Sequence, residues 1–172
     1  MAAPAQRAVT AEWWERLVAR LIEALVFGVF YYILFIGLWT LFRSVGLLEL
    51  FGGRWPEVIA WFGAGLVYTV YDWVSHSTGG RTFGQAIMRI RVIPADGAVV
   101  TSRGLLKRSL LYPGPTMLMG IPVLDLGAAV IAFGVGMLIL IDRPQLRGPH
   151  DRLAGTRVVK DLGRPDSPKN FP

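Results

Sequence analysis

Arg16 and Glu23 are the strongest candidates for a functional pair in this chain. They lie seven residues apart, about two turns of a helix, so both would face the same side. Glu23 is the only charged residue in the apolar run from Leu21 to Phe42. Because a carboxylate in a membrane helix is costly and usually faces a partner or a cavity, we predict an Arg16–Glu23 ion pair. Arg20 lies near this face, but its position favours contact with lipid headgroups.

The Arg16–Glu23 pair admits two interpretations. A carboxyl group in a low-dielectric environment can carry a proton near neutral pH, which would suit a proton-coupled exchanger. An internal ion pair that fixes the position of the helix is the slightly favoured alternative. The remaining ionisable candidates are Asp72, Asp125, Asp142, His150 and Asp151.

His150 and Asp151 are adjacent, and such a pair is more often a hydrogen-bonded structural element than a catalytic one. The only other histidine, His76, is distant in sequence, the chain has no cysteine, and no spacing matches a zinc site. Nucleotide-binding and hydrolase motifs do not occur either. We therefore expect a protein that is not an enzyme, with no catalytic residues, no metal and no other cofactor.

The elements that position these residues are predicted to be membrane helices. The 172-residue chain is 53% hydrophobic and only 17% charged, which is more apolar and less charged than a typical soluble domain. The run from Leu21 to Phe42 can cross a hydrocarbon core of ~30 Å, and it is too long for the apolar part of a signal peptide. The net charge of +6 comes from basic residues that flank apolar segments. We therefore expect the lipid bilayer and its anionic headgroups as partners, and no nucleic acid.

Four apolar segments predict an α-helical integral membrane protein with four membrane-embedded helices. The segments are Leu17–Phe42, Glu57–Trp73, Leu105–Gly120 and Val123–Ile141. The third is interrupted by prolines, so we expect it to be short or bent, and whether it spans fully stays open. In the fourth, small residues recur every four positions and predict a helix-packing face: Ala128, Ala132 and Gly136.

Basic residues predict the orientation of these helices. They concentrate before the first segment, in residues 75–108 and after Asp142, whereas the first loop is balanced in charge. The positive-inside rule then places all three basic regions in the cytoplasm. We expect a multi-pass protein of the cell (plasma) membrane with both termini cytoplasmic.

The polar segments predict one small sheet and two disordered ends. Alternation in Arg89–Val92, the turn at Asp96-Gly97 and the stretch Val99–Thr101 predict a β-hairpin at the cytoplasmic surface. The β-branched run Thr156–Val159 would add a third strand and tie the tail to this loop. Residues 1–12 and 161–172 are predicted to be disordered, which leaves one transmembrane domain over residues 13–160.

Several of these residues together resemble the RDD family of membrane proteins. They are Arg16 and Glu23, Thr82-x-Gly84 followed by Arg89–Val92, Asp96-Gly97, and the element HDRLAGT at 150–156 with Val158-Val159. The resemblance covers about residues 13–160, the predicted RDD-like domain. It implies that Arg16 is the signature arginine, that Glu23 stands where the family has its first aspartate, and that Asp151 or Asp142 is the second.

Two functions follow from the residues and the resemblance. The resemblance implies transport, with cation/proton exchange attributed to some members, so the chain would be a transport component, either a homo-oligomer or attached to a larger carrier. The small size and the lack of an internal inverted repeat favour a non-catalytic accessory or assembly subunit of a membrane complex. Binding of anionic lipid at the basic cytoplasmic face is a weaker third hypothesis.

Overall fold

The computed structural model describes residues 8–95, 100–142 and 146–161, and it is mostly helical. A single 3₁₀ helix, at Gly114–Leu118, accompanies the α-helices and strands of these ranges. In chain order the elements are α1 Trp13–Ser44, α2 Leu47–Phe51, α3 Trp55–Gly79, α4 Phe83–Ile87, β1 Ile90–Pro94, α5 Ser102–Leu111, the 3₁₀ helix, α6 Leu124–Leu138, α7 Pro149–Ala154 and β2 Thr156–Lys160.

α1 carries the surface expected of a membrane helix. It has 32 residues, and only 11% of its most apolar stretch is buried inside the molecule. Leu25, Ile33 and Ile36 are 71%, 65% and 61% exposed, which is a surface that fits lipid better than water. Among the described helices, α1 is the one with the length and hydropathy of a full crossing. The other three predicted membrane segments therefore stay predictions.

The predicted apolar segments all contain helices. α3 runs from Trp55 to Gly79 and so exceeds its predicted segment at both ends, and α6 lies within the fourth segment. The third segment is broken, as predicted, because α5 ends at Leu111 and the 3₁₀ helix begins after Pro113.

α1 and α3 pack through small and aromatic side chains. Ala60 and Ala64 of α3 are 0% and 3% exposed and share a core with Tyr31 of α1. Small residues at such a seam let two helix backbones approach closely. The ring of Tyr31 stacks on that of Trp61 with a centroid separation of 4.1 Å. This seam holds the two longest helices together.

The sheet ties the tail to the middle of the chain, but its composition differs from the prediction. β1 pairs with β2 in antiparallel register, with Val92 opposite Val158, so the predicted link through Thr156–Val159 is confirmed. The predicted strand Val99–Thr101 is wrong where the structure describes it, because Thr101 instead caps α5 by accepting a hydrogen bond from the Gly104 amide at 3.1 Å. Asp96, Gly97 and Val99 lie outside the described residues.

The described part of the N-terminal segment also contacts this sheet. Thr10 bridges Val159, and the amide of Ala11, itself fully buried, donates to the Val158 carbonyl at 3.1 Å. These contacts differ from the disorder predicted for residues 1–12. At the other end, Asp161 pairs with Arg81 at 2.6 Å, and the rest of the predicted tail, 162–172, lies outside the described residues.

Candidate functional site

Six charged side chains from four elements converge near the N-terminal end of α1. We call this group the charge cluster: Arg16, Arg20 and Glu23 of α1, Asp72 of α3, Arg108 of α5 and Asp151 of α7. Arg20 is 14% exposed and the other five are 7% exposed or less. Three guanidinium groups face three carboxylates, so their formal charges cancel.

Arg20 joins the two carboxylates at the α1–α3 side of the cluster. One of its terminal nitrogens lies 2.8 Å from Glu23 Oε2 and 2.6 Å from Asp72 Oδ1. The hydroxyl groups of Tyr68 and Thr82 also donate to Glu23. Glu23 is therefore held by one cation and two hydroxyl donors.

Arg108 connects this side to α7. Its Nε donates to Asp151 Oδ1 at 3.1 Å, and its Nη1 lies 3.6 Å from Asp72 Oδ2. Ser109 adds a hydroxyl hydrogen bond to Asp72 at 2.7 Å. Because ion pairs of this kind are costly to bury unless well partnered, the network fixes how α1, α3, α5 and α7 meet.

Arg16 completes the cluster at the α1–α7 side. Its Nη1 lies 3.7 Å from Asp151 Oδ2. It also donates to the carbonyl oxygen of Leu146, and to that of Val158 at 3.2 Å. The guanidinium therefore ties the start of α1 to β2 as well as to α7.

The pKa values of the α7 pair are shifted downward by its surroundings. Burial opposes ionisation of Asp151, but the neighbouring His150, Arg108 and Arg16 outweigh it and hold the pKa of that carboxyl well below its usual range. Burial lowers the pKa of His150 to about 4, against the opposing attraction of Asp151. At pH 7, Asp151 is therefore ionised and His150 neutral.

The predicted Arg16–Glu23 pair is wrong in its partners. Both residues are buried, but in the described structure Arg16 pairs with Asp151 and Glu23 with Arg20. Seven residues separate the side chains by about 10 Å along a helix, whereas a spacing of three brings them together. The expectation that Arg20 contacts lipid headgroups is also wrong, since Arg20 is the central cation of the cluster.

The other predicted site residues divide between two places. His150 and Asp151 lie at the cluster, and Asp151 is the tail carboxylate that meets Arg16. Asp142 lies apart from it and pairs with Arg147 at 3.0 Å and Arg152 at 2.9 Å. Among the described residues, no group of three or more His, Asp or Glu residues could hold a metal ion.

Three members of the cluster lie outside the predicted site: Arg20, Asp72 and Arg108. Arg20 lies three residues before Glu23 on the same helix, and that spacing is a usable signal for a pair. Asp72 was only one of several ionisable candidates, although its place within the aromatic end of a predicted membrane helix is a usable signal. Arg108 carries no such signal, because it belongs to a run of basic residues in a polar loop. Its full burial depends on contacts between α3, α5 and α7 that no local pattern specifies.

A cleft of about 350 Å³ adjoins the cluster between α1 and α6. Its floor is formed by four charged residues, Arg16, Arg20, Arg108 and Asp151, together with the neutral His150. Its walls are mostly apolar and include Leu17 of α1, Ala132 and Gly136 of α6, and Leu140 in the turn after α6. The volume lies within the range of about 300–1,000 Å³ usual for small-molecule sites, and a few polar groups among apolar walls are typical of such sites.

Comparison with known proteins supports one assignment. The model of the family described as RDD family matches residues 10–155, which is most of the chain. Neither the curated proteins nor the solved structures give a match.

Proposed function

The chain belongs to the RDD family, and we propose that it is a transport-related membrane component that binds its ligand in the cleft. Family membership and the exposed apolar surface of α1 indicate a membrane protein. The observation that carries the proposal is the cleft itself, in which apolar walls meet a floor of buried charges. We infer no catalytic step, so the protein would act by binding.

The position of the cleft suggests how a ligand would reach it. The helices on both sides, α1 and α6, expose large apolar side chains such as Leu21 at 58% and Phe133 at 71%. Side chains of this kind favour lipid as their surroundings. A ligand would therefore enter sideways from the bilayer rather than through a channel along the helix axes.

The charge cluster argues against cation/proton exchange as the transport activity. Each carboxylate of the cluster already has an arginine partner, and the three positive and three negative charges cancel. A carboxylate that exchanges a proton for a cation would have to lose such partners, and stranding a buried charge is costly. Liposomes that contain the purified protein and a pH-sensitive dye should not respond to pulses of Na⁺ or K⁺. A response that Asp72→Asn abolishes would restore the exchanger hypothesis.

The proposed topology has four membrane-embedded helices in the plasma membrane and both termini in the cytoplasm. Because the chain has no cysteine, a single introduced cysteine is the only thiol that a maleimide can label. Val9, Leu50 and Ser102 are exposed positions before α1, in α2 and at the start of α5. We expect an impermeant maleimide added outside cells to label Leu50→Cys but neither Val9→Cys nor Ser102→Cys. Outside labelling of Val9→Cys would contradict a cytoplasmic N-terminus.

The second candidate function is a non-catalytic accessory or assembly subunit, favoured by the balance of positive and negative charges in the cluster. A network whose charges are all paired stabilises a fold without taking part in a reaction. Purification at native expression level in mild detergent separates the two candidates. A homo-oligomer alone, or an association with a carrier protein, is the result expected for a transport component. Stoichiometric recovery with a membrane complex that does not transport would support the accessory function instead.

A further inference from the structure

The floor of the cleft carries more positive than negative charge, although the charge cluster as a whole is neutral. Three arginines of the cluster line the cleft, but Asp151 is the only one of its carboxylates that does so. Glu23 and Asp72 are not among the lining residues, so these two carboxylates lie farther from the cleft than the arginines they pair with. His150 is neutral at pH 7 because its pKa lies near 4. An anion in the cleft would therefore meet a favourable potential.

Two arginine donors at this floor lack a partner. Arg16 Nε and Arg20 Nη2 are buried and have no hydrogen-bond partner among the described residues. Arg16 is only 7% exposed, so water compensates little for the missing bond. Buried donors are normally satisfied, and those that are not call for an explanation such as a bound group. The oxygens of a carboxylate or a phosphate accept hydrogen bonds from guanidinium groups with good geometry.

The walls of the cleft suit an alkyl chain rather than a second polar group. Ala132 and Gly136 lie four residues apart and form a stripe on one face of α6, and Leu140 follows in the turn after the helix. The small side chains at 132 and 136 leave a shallow furrow on this helix. Leu17 of α1 lines the opposite wall. A flexible hydrocarbon chain can fill a furrow between two apolar helices without any directional contact.

From these observations we propose that the cleft binds an amphiphile with one anionic headgroup and an alkyl chain. The headgroup would lie against Arg16 and Arg20, and the chain would follow the stripe on α6. The inference rests on the proposed function, because it names the ligand class of the same site. A bilayer phospholipid and a free fatty acid both have this chemistry.

The test counts amphiphiles that remain bound to the intact protein. The full chain is placed in phosphatidylcholine nanodiscs that contain a minor fraction of dioleoylphosphatidylglycerol, oleate or neutral monooleoylglycerol, and is then released into native mass spectrometry. We expect retention of an anionic amphiphile over both neutral lipids. Retention of phosphatidylglycerol alone would identify a phospholipid site, and retention of oleate alone would identify a fatty-acid site. Retention of both would identify a site that recognises an anionic headgroup and an alkyl chain in either molecule.

Two glycines of α6 give a matched pair of variants. A Cβ added at Gly136 or Gly134 would meet nothing within 4 Å, so both positions have room for the first atom of a side chain. Gly136 lines the cleft, whereas Gly134 points about 200° away around the helix. Gly136→Leu should lower retention about tenfold by filling the furrow, and Gly134→Leu should leave it unchanged. Both variants avoid the charge cluster and should fold.

Several results would overturn the inference. Equal retention of neutral and anionic amphiphiles would remove the charge argument, and wild-type retention by Gly136→Leu would place the binding elsewhere. Either result leaves the proposed function standing if the native purification still yields a homo-oligomer. Conversely, the native purification could recover the protein with a membrane complex that does not transport, while the anionic amphiphile still binds. That result would overturn the transport function but not the ligand class.

Discussion

α3 packs tightly against α1, whereas a cleft separates α6 from α1. α3 packs against α1 through small side chains and aromatic stacks and ends in the ion pairs of the charge cluster. α6 packs on the 3₁₀ helix and contacts α7, and it leaves the cleft of about 350 Å³ toward α1. Both helices carry small residues at spacings that permit close approach. We call the side of α1 where complementary charges from α3, α5 and α7 meet the closed side, and the side that faces α6 across the cleft the open side. A stripe of small residues alone therefore does not bring two of these helices together.

Removing the cation that Asp72 and Asp151 share should have the largest effect. Arg108→Leu would remove the nearer arginine of Asp151, leaving Arg16 at 3.7 Å. It would also remove one of the two arginine partners of Asp72. Removing one partner of a buried pair costs about 3–5 kcal/mol. The free energy of unfolding in detergent, measured against denaturant, reports this loss. Lys107→Leu is the control, because Lys107 is the exposed neighbour on the same helix. Equal stability of the two variants would show that the cluster does not hold the helices together.

Overpacking the contact between α3 and the 3₁₀ helix should have the next largest effect. A Cβ at Gly65 would lie 2.5 Å from the backbone nitrogen of Met117, so α3 and the 3₁₀ helix would have to separate. Gly65→Val should therefore lower the free energy of unfolding by about 3 kcal/mol, at the upper end for overpacking. Gly28→Val in α1 meets nothing within 4 Å and serves as the control. Similar melting temperatures for both would contradict the close approach.

Acidification should loosen the α7 end of the closed side. The pKa of His150 is about 4 in the folded chain against a usual 6.5, so below about pH 6.5 the unfolded chain takes up the proton first. Stability should therefore fall as the pH drops from 7, by about 2 kcal/mol at pH 5. Asp151 contributes a further loss only below about pH 4, since its pKa is held below 3.8.

A variant that does not titrate isolates the contribution of His150. His150→Gln should flatten the stability profile between pH 7 and pH 5, as followed by melting temperature in detergent. A profile equally steep in the variant would assign the acid sensitivity to other groups.

The comparison also separates what local sequence specifies from what it does not. The lengths of the apolar runs predicted where helices form, and the proline-rich break after Leu111 followed from backbone chemistry. The burial of Glu23 was also predictable, because a lone carboxylate in an apolar run is costly unless it meets a partner. Its partner Arg20 lies three residues earlier on the same helix, so helix spacing could have identified it. The partner of Arg16 could not be identified in this way, since Asp151 reaches it through the three-dimensional arrangement of α1 and α7.

The sheet shows the same limit on a smaller scale. The β-branched run Thr156–Val159 predicted a strand, and the strand exists. The predicted second strand of the hairpin does not form at Thr101. The hydroxyl group of Thr101 caps α5 instead, and this contact outweighs the weak strand propensity of the segment. Local patterns thus gave the elements, and competition between local and distant partners decided how they pair.

Protection of a cysteine in the cleft is the sharpest test of whether the open side of α1 is a site for an anionic amphiphile. Leu17 and Leu21 are 49% and 58% exposed on adjacent turns of α1, but only Leu17 lines the cleft. With no native cysteine, the alkylation rate of each single-cysteine variant can be measured without background. We predict that oleate or phosphatidylglycerol slows alkylation of Leu17→Cys, that monooleoylglycerol does not, and that Leu21→Cys reacts at the same rate throughout. Equal protection of both positions, or none at Leu17→Cys, would contradict the account.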